Sequence, residues 1–289
     1  MTFQRENEKK IVKGNEMVKI IGLIENTAVS AKLKNKHGLC LYVQTDKHKI
    51  LFDVGPNDLF LKNAEKLGVD IADVDTVIIS HGHVDHCGGL KYFLAKNSKA
   101  KVYIRPKAIQ KHYVKVLGIP FYVGIERHLE QTDRFVFTEE LCVADDELML
   151  FSDVSGHFPL PKSDENLLAE KDGKIVADDF SHEQNLILTV GGKTILICGC
   201  AHAGVVNIVD RAKELVGKIS AVVGGFHLFE PTKKRYESDE YIDNVAAVLA
   251  KDDTEFYTCH CTGEQACVRM KKQLGDRLHY LRVGSKIYL

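Results

Sequence analysis

His81-Gly82-His83-Val84-Asp85-His86 is the stretch on which the reading of this chain turns. Three imidazoles and a carboxylate, all groups that bind metal ions, fall within six residues. Neutral imidazole is the commonest protein ligand for zinc and related ions, and carboxylate suits the same ions. One cation rarely takes four ligands from so short a segment, whereas two adjacent cations can share them. The spacing therefore points to a dinuclear site.

Moving outward, apolar Thr76-Val77-Ile78-Ile79-Ser80 runs into this segment and Cys87-Gly88-Gly89-Leu90 leads out of it. A strand running in and a helix running out place the histidines at a strand's carboxyl end, the usual location of function in layered α/β folds. The pattern recurs. Ile195-Leu196-Ile197 leads to Cys200-Ala201-His202, Ala221-Val222-Val223 to Gly224-Gly225-Phe226-His227, and Phe256-Tyr257 to Cys259-His260-Cys261. Such strand ends can gather on one rim, where helix N-termini would also favour an anion.

Apolar periodicity and turn residues predict strands over 18–23, 39–45, 49–53, 75–80, 101–105, 148–152, 186–190, 194–198, 221–223, 255–258, 278–283 and 286–289. They predict helices over 58–67, 89–96, 205–216, 239–251 and 264–274. Between 106 and 135 aromatics and bases mix, as in His112, Tyr113, Phe121, Tyr122, Arg127 and His128. That stretch is expected to be a helical excursion or lid over the site, or else a surface insertion. With no Pro- or Ser-rich linker, residues 18–289 are expected to form one domain behind a flexible extension, 1–17.

The 289 residues are 45% hydrophobic and 27% charged, ample for a large core. A net charge of −1 gives no global basic field, so neither nucleic acid nor an anionic membrane is an expected partner. No apolar run approaches the ~20 residues of a membrane span. Residues 1–13 lack the apolar core of a secretory signal, and a cytoplasmic location is expected. Eight cysteines, at 40, 87, 142, 198, 200, 259, 261 and 267, are expected to stay unpaired there. The Cys198/Cys200 and Cys259/Cys261 pairs fit neither zinc-ribbon nor ferredoxin spacing.

The H-x-H-x-D-H segment resembles the signature of the metallo-β-lactamase superfamily. That resemblance implies a four-layer αββα sandwich with a metal site along one edge. It implies that His81 and His83 bind one ion while Asp85 and His86 turn to the other. In the superfamily a third His completes the first set, an Asp bridges both ions, and a last His completes the second. Ser155-Gly156-His157-Phe158-Pro159 fits the family's G-H-x-P, which makes His157 a candidate for the third His. The bridging position carries Cys200 instead of Asp, with His202 two residues on, and either can ligate. His260 best matches the final His.

Five further stretches resemble one branch, the proteins similar to 7,8-dihydropterin-6-methyl-4-(β-D-ribofuranosyl)-aminobenzene-5′-phosphate synthase. They are Glu25-Asn26, His37-Gly38-Leu39, Leu51-Phe52-Asp53-Val54-Gly55, Gly199-Cys200-Ala201-His202-Ala203-Gly204 and Gly224-Gly225-Phe226-His227-Leu228. The branch often reads T-G-E-x-P where this chain has 155–159, which shifts weight from His157 to His202. Asp53 is expected to accept the N–H of a ligating His, or else to form a turn before Gly55. His227, Glu25 and Asn26 are expected at the substrate. Asp178, Asp179 and Glu183 match acidic residues of the branch or form a solvated face. Histidines 37, 48, 112, 128, 182 and 279 have no clustered partners and are expected to be structural or exposed.

These residues together imply a metal-dependent hydrolase acting on a small anionic substrate. Two cations sharing a water lower its pKa and ready it for attack on a carbonyl or phosphoryl centre, with Asp85 as the catalytic carboxylate. Imidazoles, and a thiolate from Cys200, favour two zinc ions over manganese or iron. Two alternatives stand beside this. One is a synthase that couples an aminobenzene ribosyl phosphate to a dihydropterin pyrophosphate. The other is a non-catalytic metal- or ligand-binding protein.

Overall fold

The computed structural model describes residues 17–126, 129 and 132–289. The expected extension up to residue 16, with Arg127 and His128, lies outside the described residues. In chain order the elements open with β1 (Lys19–Ile24), β2 (Cys40–Gln44), β3 (Lys49–Phe52), α1 (Leu59–Leu67), β4 (Thr76–Ile78), α2 (Val84–Cys87), α3 (Leu90–Lys96) and β5 (Lys101–Ile104). A hairpin, β6 (His112–Val116) and β7 (Ile119–Tyr122), precedes β8 (Phe135–Phe137), β9 (Leu141–Val143) and β10 (Leu148–Phe151). A second hairpin, β11 (Leu167–Lys171) and β12 (Lys174–Ala177), precedes β13 (Asn185–Val190), β14 (Lys193–Ile197), α4 (Val205–Val216) and β15 (Ala221–Gly224). The chain closes with β16 (Phe229–Glu230), β17 (Arg235–Tyr236), α5 (Asp239–Leu249), β18 (Glu255–Thr258), α6 (Glu264–Leu274), β19 (Leu278–Tyr280) and β20 (Lys286–Tyr288).

Two seven-stranded sheets carry the architecture, β20-β1-β2-β3-β4-β5-β8 and β19-β18-β15-β14-β13-β10-β9. Each is antiparallel on one side and parallel on the other: β3, β4, β5 and β8 run parallel, as do β14, β15, β18 and β19. Period-two alternation makes this possible, because successive side chains leave opposite faces of a strand. In β2, Leu41 and Val43 enter a core between the sheets, while Cys40 and Tyr42 face the helix side. The inter-sheet core also holds Ile50, Phe52 and Ile78 from one sheet and Leu150, Leu186, Leu188 and Ile197 from the other. Phe60 and Ala64 of α1 and Leu90 and Phe93 of α3 cover the outer face of the first sheet. Helices α4, α5 and α6 cover the second. The result is the αββα sandwich expected.

Local signals set the boundaries. Helix α1 stops at Gly68, whose φ of 72° lets its N–H reach back to Ala64 and Glu65. The side chain of Ser238 caps α5 by accepting from the N–H of Tyr241. The stretch 106–135 departs from the helical expectation. Leu117 and Gly118, at φ of 50° and 84°, form a tight turn that folds His112–Val116 back on Ile119–Tyr122. With β11 and β12 this hairpin makes a four-stranded sheet, β12-β11-β6-β7. Val114 and Leu167 of that sheet line the cavity described next. No helix of the described residues is long and apolar enough to cross a membrane.

Candidate metal centre

Strand ends deliver the candidate ligands to one rim. β3 ends before Asp53, β4 before His81, β14 before Cys200 and His202, β15 before His227, and β18 before His260. At Asp53, Ala201, His227 and His260 the backbone takes left-handed φ values of 59°, 59°, 50° and 51°. Each such residue costs about 1–3 kcal/mol, strain that characteristically collects at functional sites. Close approach also demands glycine. A Cβ on Gly199 would lie 2.2 Å from Ser80 Oγ, and one on Gly225 would lie 2.4 Å from Cys261 Sγ.

His81, His83 and His202 form a nitrogen group. Their ring centroids are 4.7, 5.0 and 5.1 Å apart, and the Nε2 atom of each is buried without a hydrogen-bond partner. The surrounding bonds explain how two of these atoms present a lone pair. Ser80 gives its single hydroxyl proton to Asp53 Oδ2 at 2.7 Å, so its oxygen accepts from His81 Nδ1–H at 2.8 Å. Asp164 Oδ1 accepts from His202 Nδ1–H at 2.6 Å. Both rings thus turn a partnerless Nε2 to the same space. Burial, reinforced by the neighbouring imidazoles, pushes His81 and His83 well below the usual histidine range. Both are neutral, ligand-ready rings at pH 7. Leaving buried nitrogens unmatched is costly in a finished fold, and a cation resolves it.

Asp85, His86, Cys200 and His260 form a mixed group. His86 Nδ1 donates to Asp53 Oδ2 at 2.7 Å, and His260 Nδ1 donates to Asn26 Oδ1 at 3.1 Å. Their Nε2 atoms then face each other at 3.2 Å, with Cys200 Sγ 3.1 Å from His86 Nε2. Asp85 Oδ2 stands 3.6 Å from His86 Nε2 and 3.2 Å from His260 Nε2. A tetrahedral zinc with bonds of 2.0–2.1 Å holds its nitrogens about 3.4 Å apart, so this spacing fits a cation. Burial opposes charge on His86, but Asp85 and Asp53 outweigh it and raise the imidazole to about 9. Burial likewise works against the Asp85 carboxylate, yet His86, His260 and His37 hold it well below the usual carboxylate range. Burial pushes the Cys200 thiol up; it works the same way on Cys261, but Cys200, His227 and His260 outweigh it and hold that thiol well below the ordinary range.

A cavity of about 450 Å³ opens over both groups. Its floor includes His83, Asp85, Cys200, His202 and His260, and Val84, Val114, Val123 and Leu167 contribute apolar wall. His227 reaches the same cavity, with Nε2 3.0 Å from Asp164 and a partnerless buried Nδ1.

Of the expected site residues, His81, His83, Asp85, His86, Cys200, His202 and His260 converge, and Asp53 sits behind them as a carboxylate support. Glu25 and Asn26 do not line the cavity: they hold His260 from behind. Glu25 Oε1 accepts the N–H of His260 at 2.8 Å and the hydroxyl of Tyr280 at 3.1 Å. His157 is exposed, because Asn207 of α4 ties the neighbouring Phe158 backbone and holds the loop at the surface. Among the acidic trio only Asp179 is solvated, paired with Lys171. Glu183 is buried and accepts the N–H groups of His202 and Ala203 at 2.8 and 3.0 Å. Asp178 is buried between His112 Nδ1 and His182 Nε2, at 3.0 and 3.1 Å, and His182 in turn accepts the Gly82 N–H.

Four contributors escaped the sequence reading. His37 stands at the cavity with Nε2 3.3 Å from Asp85, and its place in a branch-like stretch was a usable signal. Cys261, next to His260, was another that could have been read. Asp164 and the pairing of His112 with His182 around Asp178 carry no motif.

Comparison with known proteins identifies the family. The family model described as the metallo-β-lactamase superfamily matches residues 34–232. An uncharacterised protein of Methanocaldococcus jannaschii is 31% identical over 259 residues, 89% of this chain and 94% of its own. The 7,8-dihydropterin-6-methyl-4-(β-D-ribofuranosyl)-aminobenzene-5′-phosphate synthase of the same organism is 26% identical over 295 residues, 93% of this chain and 96% of its own. A crystal structure described as a metal-dependent hydrolase of the β-lactamase superfamily aligns with a TM-score of 0.79 and 30% identity, over 93% of this chain and 98% of that one. The chain belongs to the metallo-β-lactamase superfamily.

Proposed function

We propose that this chain is a metal-dependent hydrolase with a dinuclear zinc site, acting on a carbonyl or phosphoryl centre of a small anionic substrate. The observation that carries this reading is the convergence of three buried, partnerless Nε2 atoms, those of His81, His83 and His202, beside the mixed group. His81, His83 and His202 would hold one ion, and Asp85, His86, His260 and Cys200 the other. Bound there, the ions would supply Lewis acidity and lower the pKa of a shared water toward neutrality.

The chain's own residues prepare that chemistry. Asp53, Asp164 and Asn26 fix the tautomers of His86, His202 and His260, so the ligating nitrogens need no rearrangement. Asp85 Oδ2 is placed to take a proton, with His37 Nε2 at 3.3 Å as its next stop toward solvent. Among the described residues that line the cavity none is Lys or Arg, so a substrate's negative charge would meet the ions and imidazoles. Its apolar part would meet Val114, Val123 and Leu167.

A second reading is group transfer to a dihydropterin. It is favoured by the synthase relative and by an apolar wall suited to a flat ring. Two measurements separate the readings. Metal analysis of the purified protein should return about two zinc per chain, the count of a two-metal site. No bound metal would leave only a non-catalytic binder. Turnover of phosphodiester, thioester or lactone substrates supports hydrolysis. Coupled product from a dihydropterin pyrophosphate and an aminobenzene ribosyl phosphate, without hydrolysis, supports the synthase.

A further inference from the structure

Only two of the eight cysteines, Cys200 and Cys261, line the cavity, and both are buried beside ligating imidazoles. Cys40, Cys87, Cys198 and Cys267 pack instead into apolar cores. Cys200, His260 and Cys261 place their donor atoms within 4.8 Å of one another. Two sulfurs on one tetrahedral zinc, at bonds of about 2.3 Å, stand about 3.8 Å apart, a separation inside that limit. Cys261 Sγ is held at the Cys200 backbone, 3.5 Å from its carbonyl oxygen, by a chain turn at His260 with φ of 51°. Gly225 leaves the space that this thiol fills, since any Cβ there would meet Cys261 Sγ at 2.4 Å. Local geometry therefore works to bring a second sulfur to the mixed group.

We infer that Cys200 and Cys261 both bind the second cation, giving it a two-thiolate set with His86 and His260. This rests on the metal centre proposed above and deepens it. Cys261 then replaces Asp85 in the set proposed above, which leaves Asp85 to its contact with His37 at 3.3 Å. Thiolate pairs select zinc and other soft ions over manganese and magnesium. Both sulfurs bind as thiolates, and any proton still on either goes to solvent, with no change of oxidation state.

X-ray absorption at the zinc edge of the zinc-loaded, unmodified protein counts the sulfurs without any substitution. Two sulfurs per chain at about 2.3 Å are expected. Two bound zinc ions with one sulfur per chain, or none, overturn the two-thiolate set and leave the metal centre standing. Cobalt-loaded protein gives an independent reading through its thiolate-to-metal band in the near ultraviolet. With metal content unchanged, Cys261→Ser and Cys200→Ser should each remove about half of that band, as two equivalent sulfurs require. A Cys261→Ser spectrum identical to that of the unmodified protein overturns the inference. Failure of the unmodified chain to bind zinc or cobalt overturns the centre and this assignment with it.

Discussion

The nitrogen group and the mixed group share one rim, yet they are built in opposite ways. In the nitrogen group, three Nε2 atoms point at nothing. In the mixed group, the donor atoms already stand 3.1–3.6 Å from one another, with His86 raised to about 9 by two carboxylates. In the first group His81 and His83 wait as neutral imidazoles. The second holds a proton until something replaces it. Each is buttressed by its own carboxylate, Asp164 for the first and Asp53 for the second, and Ser80 ties Asp53 to His81 as well. The contrast teaches that two sites a few ångströms apart can differ in metal preference and pH response through their partners alone.

The largest effect should come from breaking either group outright. His83→Ala empties one coordinate of the nitrogen group, and Asp85→Asn removes the carboxylate of the mixed group. Each should lower kcat/KM by roughly 10³-fold, the scale of losing a main electrostatic element of catalysis. Retained turnover in both variants would place the chemistry elsewhere.

A pH series should separate the groups next. A proton on His86 persists up to about pH 9 in the metal-free protein, so a cation entering the mixed group must displace it. Affinity there should rise by more than tenfold per pH unit up to about 9, because His86 and the Cys200 thiol both give up protons, while the nitrogen group, with His81 and His83 already neutral, changes far less. The same shift works on stability. A raised folded-state pKa stabilises the metal-free protein fully below about 6.5 and loses that contribution as pH rises through about 9. Calorimetric zinc titrations at pH 6.5, 7.5 and 8.5 would show one rising and one level binding event. Two level events would erase the distinction.

Removing the supports should cost less and stay local. Asp164→Asn should weaken the nitrogen group, and Asp53→Asn the mixed group, each by 10–100-fold in metal affinity. Equal losses at both sites from one substitution would show that the groups act as a single unit. The smallest effect should follow from crowding. Gly199→Ala presses on Ser80 Oγ and Gly225→Ala on Cys261 Sγ, so each should cost about 1–3 kcal/mol in thermal unfolding.

Much of this was legible in the sequence because the family's ligands come as dense local spacing at strand ends. His81, His83, Asp85 and His86 announce themselves, and Cys200, His202 and His260 follow the same strand-then-ligand rhythm. The αββα sandwich followed from the same signature, and strands such as 255–258 fell where alternation put them. What stayed hidden depends on packing across long separations. Asp164 meets His202 and His227 only because a tight turn at Lys162–Asn166 folds under the rim. Asp178 reads from sequence as either a match to the branch or a solvated acid, and only packing puts it between His112 and His182. His157 carried a motif-like context, yet a surface loop tied to α4 turned it away. The hairpin at 112–122 was obscured because its aromatic and basic residues suit a helix and a strand alike.

Anomalous diffraction at the zinc edge from crystals grown with zinc tests the paired centre most directly. Two peaks are expected, one within bonding distance of Nε2 of His81, His83 and His202, the other within bonding distance of His86 and His260. A map with no peak at either position, from protein that is folded and zinc-saturated, would contradict it.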